Sequence, residues 1–172
     1  MKKWMAWILT GIMMLGCAGT AFAAETKVNV DGRPVVFTDA KPFVDENGRT
    51  MVPLRPVANA MGLNVEWNQE FQTATFSESY DPGIEGLGAE GRMVYMAVVF
   101  TIGSPDVEVS GKVELYEGGM EPIFDGFTMD TTPVVKDGRT YAPLRYLAES
   151  FGYDVGWDGA TSTVVIENNR MQ

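Results

Sequence analysis

The stretch Asn47-Gly48-Arg49-Thr50-Met51-Val52-Pro53-Leu54-Arg55 returns 90 positions later as Asp137-Gly138-Arg139-Thr140-Tyr141-Ala142-Pro143-Leu144-Arg145. The similarity continues to Thr73 and Thr163, and eleven of the 29 positions from 48 to 76 are identical to their counterparts. Unrelated sequences of ordinary composition would share roughly two identities over this length. The chain therefore contains a duplicated motif, and the pattern within each copy predicts the fold.

Each copy opens with a turn between two short extended runs. Asn47-Gly48 and Asp137-Gly138 are dipeptides that favour the positive φ angles of β-hairpin turns. We therefore expect one hairpin at the start of each copy. The extended runs on either side of the turns are residues 42–44 and 50–52 in the first copy, and residues 133–136 and 140–142 in the second.

A short helix is expected after each hairpin. Leu54, Val57, Ala58 and Met61 fall at positions i, i+3, i+4 and i+7, which gives a helix one apolar face. Gly62 then stands where a helix commonly ends in a left-handed residue. The second copy repeats the pattern with Leu144, Leu147, Ala148, Phe151 and Gly152, and both copies end in two further strands, at 63–67, 73–76, 153–157 and 163–166.

Extended segments precede both copies. Asp31-Gly32 predicts a hairpin between residues 27–30 and 34–37. Residues 93–102 and 107–115 are rich in β-branched and aromatic side chains, which favour strands. Together these patterns predict a β-rich α+β fold, with two homologous units of antiparallel strands that are each packed on one short helix.

The composition along the chain suggests its domain organisation. The first unit is expected at residues 24–78 and the second at 93–168, and the two can form one integrated domain. Between them, residues 79–92 have the acidic, Gly-rich composition of a loop. Residues 169–172 are expected to be a tail.

The N-terminal residues predict export. Two lysines at positions 2 and 3 precede an apolar run, and Ala21-Phe22-Ala23 has the small-x-small form of a signal peptidase site. Residues 1–23 are therefore expected to be a signal peptide, and the mature protein is expected to be secreted or associated with the cell envelope. A lipid anchor at Cys17 is the less favoured alternative, because Leu15 stands where lipoproteins prefer a small residue.

The composition excludes several classes of chemistry. The chain has no His, and its one Cys lies within the expected signal peptide. The mature protein therefore has no thiol or imidazole for nucleophilic catalysis or for a zinc or copper site, and no cofactor is expected. The net charge of −10 opposes binding to nucleic acid and to anionic membrane surfaces. Weak calcium binding at residues 45–48 or 154–159 stays open, although neither stretch has the EF-hand ligand pattern.

The motif Gly-Arg-Thr-x-x-Pro-Leu-Arg, with a downstream Trp-Asn or Trp-Asp, resembles the copper amine oxidase N-terminal-domain-like family, also called stalk domains, of exported bacterial proteins. The resemblance covers about residues 28–166. It implies a twisted antiparallel sheet packed around a helix, in a non-catalytic accessory module. It does not imply amine oxidation, because the copper of those enzymes needs three His and their quinone forms from a Tyr in a separate catalytic domain.

Four residues are candidates for ligand binding. The guanidinium groups of Arg55 and Arg145 could clamp a carboxylate or a sugar, although we favour a structural role in which each bonds to backbone carbonyls of its own loop. The indoles of Trp67 and Trp157 could stack on sugar rings. For these two residues we favour burial in the core or at its edge, which is the commoner place for a Trp at a strand end.

The function that these observations favour is that of a non-catalytic, exported structural or binding module at or outside the bacterial cell surface. The alternative is a glycan- or peptidoglycan-binding module that uses exposed aromatic residues. A secreted hydrolase that uses carboxylates such as Glu66, Asp154 and Asp158 is a remote alternative, because nothing in the sequence places two of them together. The partner is unknown and could be a cell-wall glycan or another envelope protein. No nucleic acid and no transmembrane anchor after signal removal are expected.

Overall fold

The computed structural model of the chain describes residues 25–79, 91–115 and 118–169. The expected signal peptide, the greater part of the expected loop and residues 170–172 of the expected tail lie outside these ranges. The described residues form strands β1 (Lys27–Val30), β2 (Arg33–Pro34), β3 (Phe43–Val44), β4 (Thr50–Pro53), β5 (Asn64–Asn68), β6 (Thr73–Ser79), β7 (Gly91–Thr101), β8 (Asp106–Leu115), β9 (Met120–Thr128), β10 (Val134–Lys136), β11 (Arg139–Pro143), β12 (Tyr153–Asp158) and β13 (Thr163–Asn168), with helices α1 (Leu54–Ala60) and α2 (Leu144–Ser150).

The fold class is β-rich with two short helices, as the sequence predicted. The order of strand, strand, helix, strand, strand occurs from β3 to β6 around α1, and again from β10 to β13 around α2. The strands form three sheets, with the orders β12-β13-β1-β2, β10-β11-β4-β3 and β5-β6-β7-β8-β9. The pair β1 and β13 is parallel, and the other described pairs are antiparallel.

The sheet β10-β11-β4-β3, here called the central sheet, joins the two motif copies. Strands β4 and β11 pair antiparallel, with Val52 opposite Ala142 at the middle of the register and Met51 opposite Pro143. The N-terminal strand β1 crosses in a similar way to the second copy, because it pairs with β13 from Lys27 opposite Thr163 onwards. Backbone hydrogen bonds therefore tie the two halves of the chain together at these two places and also where β6 pairs with β7.

The apolar faces of both helices are buried, as predicted. Leu54, Val57 and Ala58 of α1 are at most 1% exposed, and their counterparts in α2 are at most 2% exposed. Burial of an aliphatic side chain of this size contributes roughly 1.5–3 kcal/mol. Both helices end at the predicted glycines, Gly62 with φ 80° and Gly152 with φ 70°. These two helices have seven residues each, and no helix of the described residues is long and apolar enough to cross a bilayer.

The two motif turns differ in detail. Asp137 and Gly138 both have positive φ, at 50° and 69°, as expected for a two-residue hairpin loop. The first turn contains one more residue, and of its Asn-Gly pair only Gly48 has positive φ, at 74°. There the carboxylate of Asp45 accepts hydrogen bonds from the backbone N–H groups of Asn47 and Arg49, at 3.0 and 2.7 Å. The side chain of Asp45 thus organises the longer turn.

Strand β9 was not predicted, and the expected strand at 34–37 ends at Pro34. The side chains of β9 are exposed along almost all of its length, with Phe124 80% exposed, so the strand lacks the alternation of buried and exposed residues that marks a strand in a sequence. It also contains Pro122 and Gly126, which are more typical of turns. Pairing with β8 holds this segment extended.

Candidate functional site

Two grooves lie where the motif copies meet. Groove one has a volume of about 890 Å³ and lies between the start of α1, strand β5 and the turn that joins β10 to β11. Groove two has a volume of about 440 Å³ and lies between the start of α2, strand β12 and the turn that joins β3 to β4. Both volumes fall in the range of small-molecule sites, roughly 300–1,000 Å³.

Counterpart residues line the two grooves. Residues 53–56 line groove one, and residues 143–146 line groove two. The facing wall comes from the other copy, with residues 138–140 in groove one and 48–50 in groove two. This exchange follows from the antiparallel pairing of β4 with β11, which brings the hairpin turn of each copy beside the helix start of the other.

The four candidate residues fall into two pairs. Arg55 and Trp67 line groove one, whereas Arg145 and Trp157 line groove two. A guanidinium and an indole of the same copy therefore line one groove, although they are twelve positions apart in the sequence. A positive charge beside an aromatic face is a combination that can hold a polar or anionic ring-shaped ligand.

The two arginines have different surroundings. The guanidinium of Arg145 donates to the carboxylate of Glu149 at 2.9 Å, one helical turn further on. Arg55 has Asn59 at the corresponding position, and its guanidinium has no hydrogen-bond or ion-pair partner among the described residues. The expected bonds to backbone carbonyls are therefore not made by either side chain within the described ranges.

The two tryptophans also differ. Trp67 is half-buried against the core, and its Nε1–H donates to the side-chain oxygen of Gln69 at 3.0 Å. This placement agrees with the position at the edge of the core that the sequence favoured. Trp157 is 56% exposed, which differs from that expectation. Gly159 stands at the position of Gln69 in the second copy, so the amide that orients Trp67 has no counterpart at that position.

Two ion pairs in the walls of the grooves were not anticipated. The guanidinium of Arg49 bonds to Asp130, and that of Arg139 bonds to Asp39. Each pair joins the hairpin of one copy to the segment before the hairpin of the other. Hydrogen bonding to the arginine lowers the pKa of each carboxyl below its ordinary value. All four side chains are about half exposed, so solvent screens the attraction.

A signal for these pairs was present in the sequence. The Gly-Arg dipeptide occurs in both motif copies, and each aspartate stands three residues before the proline that precedes the hairpin of its own copy. The pairing itself could not be read from the sequence, because the partners lie about 80 to 100 positions apart and belong to different copies.

One of the acidic residues named for a hydrolase, Asp158, lacks the raised pKa of a general acid. A general acid needs a raised pKa, but the pKa of Asp158 is lowered by a hydrogen bond from the hydroxyl of Thr161 at 2.6 Å and by the N–H of Ala160 at 2.9 Å. Within the described ranges, no three acidic or sulfur side chains converge in a way that could hold a metal ion.

Comparison with known proteins shows one similarity. Neither the curated proteins nor the solved structures include a match. The family model described as copper amine oxidase N-terminal domain matches residues 29–166. That domain is a non-catalytic part of the enzymes for which the family is named. Because the match covers most of the chain, this protein belongs to the copper amine oxidase N-terminal domain family.

Proposed function

We propose that the protein is exported and acts outside the cytoplasm as a non-catalytic binding module, whose ligand occupies groove one. The observation that carries this proposal is that Arg55 and Trp67 line one groove of about 890 Å³. A concave site of this size whose lining includes a cationic and an aromatic side chain is a typical arrangement for recognition of a small ligand or of one unit of a polymer.

We also propose that the two motif copies descend from one duplicated unit and fold as one integrated domain. The repeated order of elements from β3 to β6 and from β10 to β13 supports this, and so does the equivalent position of Val52 and Ala142 in the central sheet. Groove one contains residues from both copies, so neither copy alone would form it.

Export and the lack of catalysis rest on the sequence and on the family. Residues 1–23 have the form of a signal peptide, which supports export of the mature chain, either free or at the envelope. The mature chain has no His and no Cys, and the family domain is non-catalytic. Binding without chemistry is the function that these properties support.

A glycan is the class of ligand that the groove favours. Besides the indole, the side chains that line groove one include the amides of Asn59, Gln69 and Gln72. Amides donate and accept hydrogen bonds, as sugar hydroxyls do, and an aromatic face packs against the C–H face of a pyranose ring. A cell-wall polysaccharide would present such units outside the cell.

Cell fractionation and a pull-down on purified cell wall test this function. We expect the protein in the secreted or envelope fraction and retained on the wall material. Trp67→Ala should lose retention, whereas Trp157→Ala, the matched change in the other copy, should keep it. Melting curves of both variants separate lost binding from lost folding. A wild-type protein that is not retained, or that stays in the cytoplasm, would contradict the proposal.

A further inference from the structure

We propose that groove one binds an acidic saccharide, with a ligand carboxylate on the guanidinium of Arg55 and a sugar ring on Trp67, and that groove two is not a second site. This inference rests on the proposed function and narrows it to one groove and one class of ligand. Three differences between counterpart residues of the two copies carry it.

The first difference is the partner of the arginine in each groove. In the second copy, Glu149 neutralises Arg145 through an ion pair at 2.9 Å. In the first copy, Asn59 replaces that glutamate, and Arg55 keeps an unpartnered guanidinium among the described residues. A planar guanidinium binds a carboxylate through two parallel hydrogen bonds, which are stronger than bonds between neutral groups. Groove one therefore has a guanidinium that no described carboxylate neutralises, and in groove two that group is already paired. Glu66, whose counterpart in groove two is Gly156, also lines groove one and repels an anion, so the ligand carboxylate is placed on Arg55 itself.

The second difference is the space beside the arginine. Tyr146 follows Arg145, and its hydroxyl accepts a hydrogen bond from the N–H of Asp130 at 3.2 Å. Its ring is stacked with Phe127 at 5.8 Å between ring centroids. These contacts hold the tyrosine ring at the wall of groove two. Pro56 takes the position of this tyrosine in the first copy. The volume of groove one is about 890 Å³, whereas that of groove two is about 440 Å³.

The third difference is how each indole is held. The bond to Gln69 and the packing against the core restrict Trp67 to one orientation. Trp157 is 56% exposed, and a glycine replaces the glutamine. A stacking platform that is already ordered loses less conformational entropy when a ligand binds, so Trp67 is the better surface for a sugar ring.

The net charge of the protein affects the conditions under which binding of this ligand must be measured. The chain carries a charge of −10, so a distant anion is repelled even though Arg55 attracts it within the groove. At an ionic strength of 0.15 M the Debye length is about 8 Å, which screens the distant charges more than a contact at bonding distance. Binding is therefore best measured at that ionic strength.

Isothermal titration calorimetry with two matched probes tests the inference. The probes are a hexamer of galacturonic acid and the methyl ester of the same hexamer, which keeps the rings and removes the charges. We expect one hexamer to bind per chain, and the ester to bind at least tenfold more weakly. Arg55→Met should weaken binding of the acid hexamer at least tenfold and bring it close to that of the ester.

Asn59→Glu is the most discriminating variant, because it introduces in the first copy the ion pair that Glu149 makes in the second. Residue 59 is exposed on the helix, so this change should leave folding intact. It should still weaken binding of the acid hexamer at least tenfold, because the new carboxylate pairs with Arg55 and also repels the ligand carboxylate. The matched changes Glu149→Gln and Arg145→Met, in groove two, should alter binding less than twofold.

The outcomes separate this inference from the function on which it rests. Two outcomes would show that the protein binds a ligand but not through the guanidinium of Arg55. In the first, the ester binds as tightly as the acid; in the second, Asn59→Glu has no effect while wall retention persists. Binding of two hexamers per chain would show that groove two is also a site. So would a loss of affinity for the acid hexamer in Arg145→Met equal to the loss in Arg55→Met. If the wild-type protein binds neither the wall material nor either hexamer, the proposed function itself is wrong.

Discussion

Val52 and Ala142 lie directly opposite each other in the pair β4 and β11, and they are the same position of the two motif copies. The residues on either side exchange symmetrically, with Met51 opposite Pro143 and Pro53 opposite Tyr141. The copies therefore meet as two subunits of a symmetric dimer would meet, with the same surface on both sides. Both side chains at the centre are fully buried, so this contact belongs to the core.

The buried helix faces should control stability. Leu54→Ala and Leu144→Ala are each expected to lower the free energy of unfolding by about 2–5 kcal/mol, because each removes apolar contacts and leaves a cavity. Urea unfolding measures the change. Phe71→Ala, at a 65% exposed position, is the control and should change stability by less than about 0.5 kcal/mol. Losses below about 1 kcal/mol at both leucines would contradict the assignment of the core.

The ion pairs between the copies should add to acid sensitivity. The folded-state pKa of Asp39 and of Asp130 lies below its ordinary value, so each pair stabilises the fold above the unfolded pKa of about 3.9. That stabilisation is lost as the pH falls through the folded-state pKa. The double change Asp39→Asn and Asp130→Asn should reduce stability at neutral pH and flatten its decline below pH 4. Melting temperatures between pH 2 and 7, with Glu70→Gln as a control outside both pairs, measure the effect; an unchanged profile would disprove it.

Arg55 should contribute little to folding. Its guanidinium has no partner among the described residues, so Arg55→Lys is expected to change stability by less than about 0.5 kcal/mol. Arg145→Lys disturbs an exposed i,i+4 ion pair that contributes about 0.3–0.5 kcal/mol. Thermal melts of both variants decide the matter. A loss of more than about 1 kcal/mol in Arg55→Lys would restore the structural role that the sequence favoured.

Gly126 should be required for the pairing of β8 with β9. A Cβ at this position would lie 2.7 Å from the carbonyl oxygen of Val107, and a backbone atom cannot move aside at low cost. Gly126→Ala is expected to destabilise the protein by roughly 1–3 kcal/mol. Gly156→Ala is the matched control within another strand, because its Cβ would lie 4.0 Å from the nearest atom. Equal stability of the two variants would contradict the close approach of β8 and β9.

The purified protein should neither oxidise amines nor hold copper. The chain has no His, and copper sites of the enzymes for which the family is named depend on that side chain. Metal analysis after dialysis against copper and a peroxide-release assay with amine substrates test both statements. Stoichiometric copper that survives dialysis, or peroxide formed from an amine, would overturn them.

Short-range patterns were sufficient for the helices and for most strands. The 3.6-residue spacing of Leu54, Val57 and Met61 predicted the buried face, and the glycines after each helix predicted where it ends. These features depend on neighbours within a few positions, which one sequence window contains. Strand β9 was missed for the opposite reason, since its extended form depends on hydrogen bonds to β8 and leaves almost no pattern of burial.

The candidate residues were present in the sequence, but the tertiary structure decided how they are combined. The repeated motif singled out Arg55 and Trp67 together with Arg145 and Trp157. From the sequence alone the two motif copies looked equivalent. The grooves exist only because β4 pairs with β11 across some 90 positions of chain, a long-range contact that local propensity does not specify. The same pairing places Arg139 beside Asp39, because packing depends on which residues become neighbours in space and not on their order along the chain. The side chains that then line each groove, such as Pro56 in groove one and Tyr146 in groove two, differ, and groove one has twice the volume of groove two.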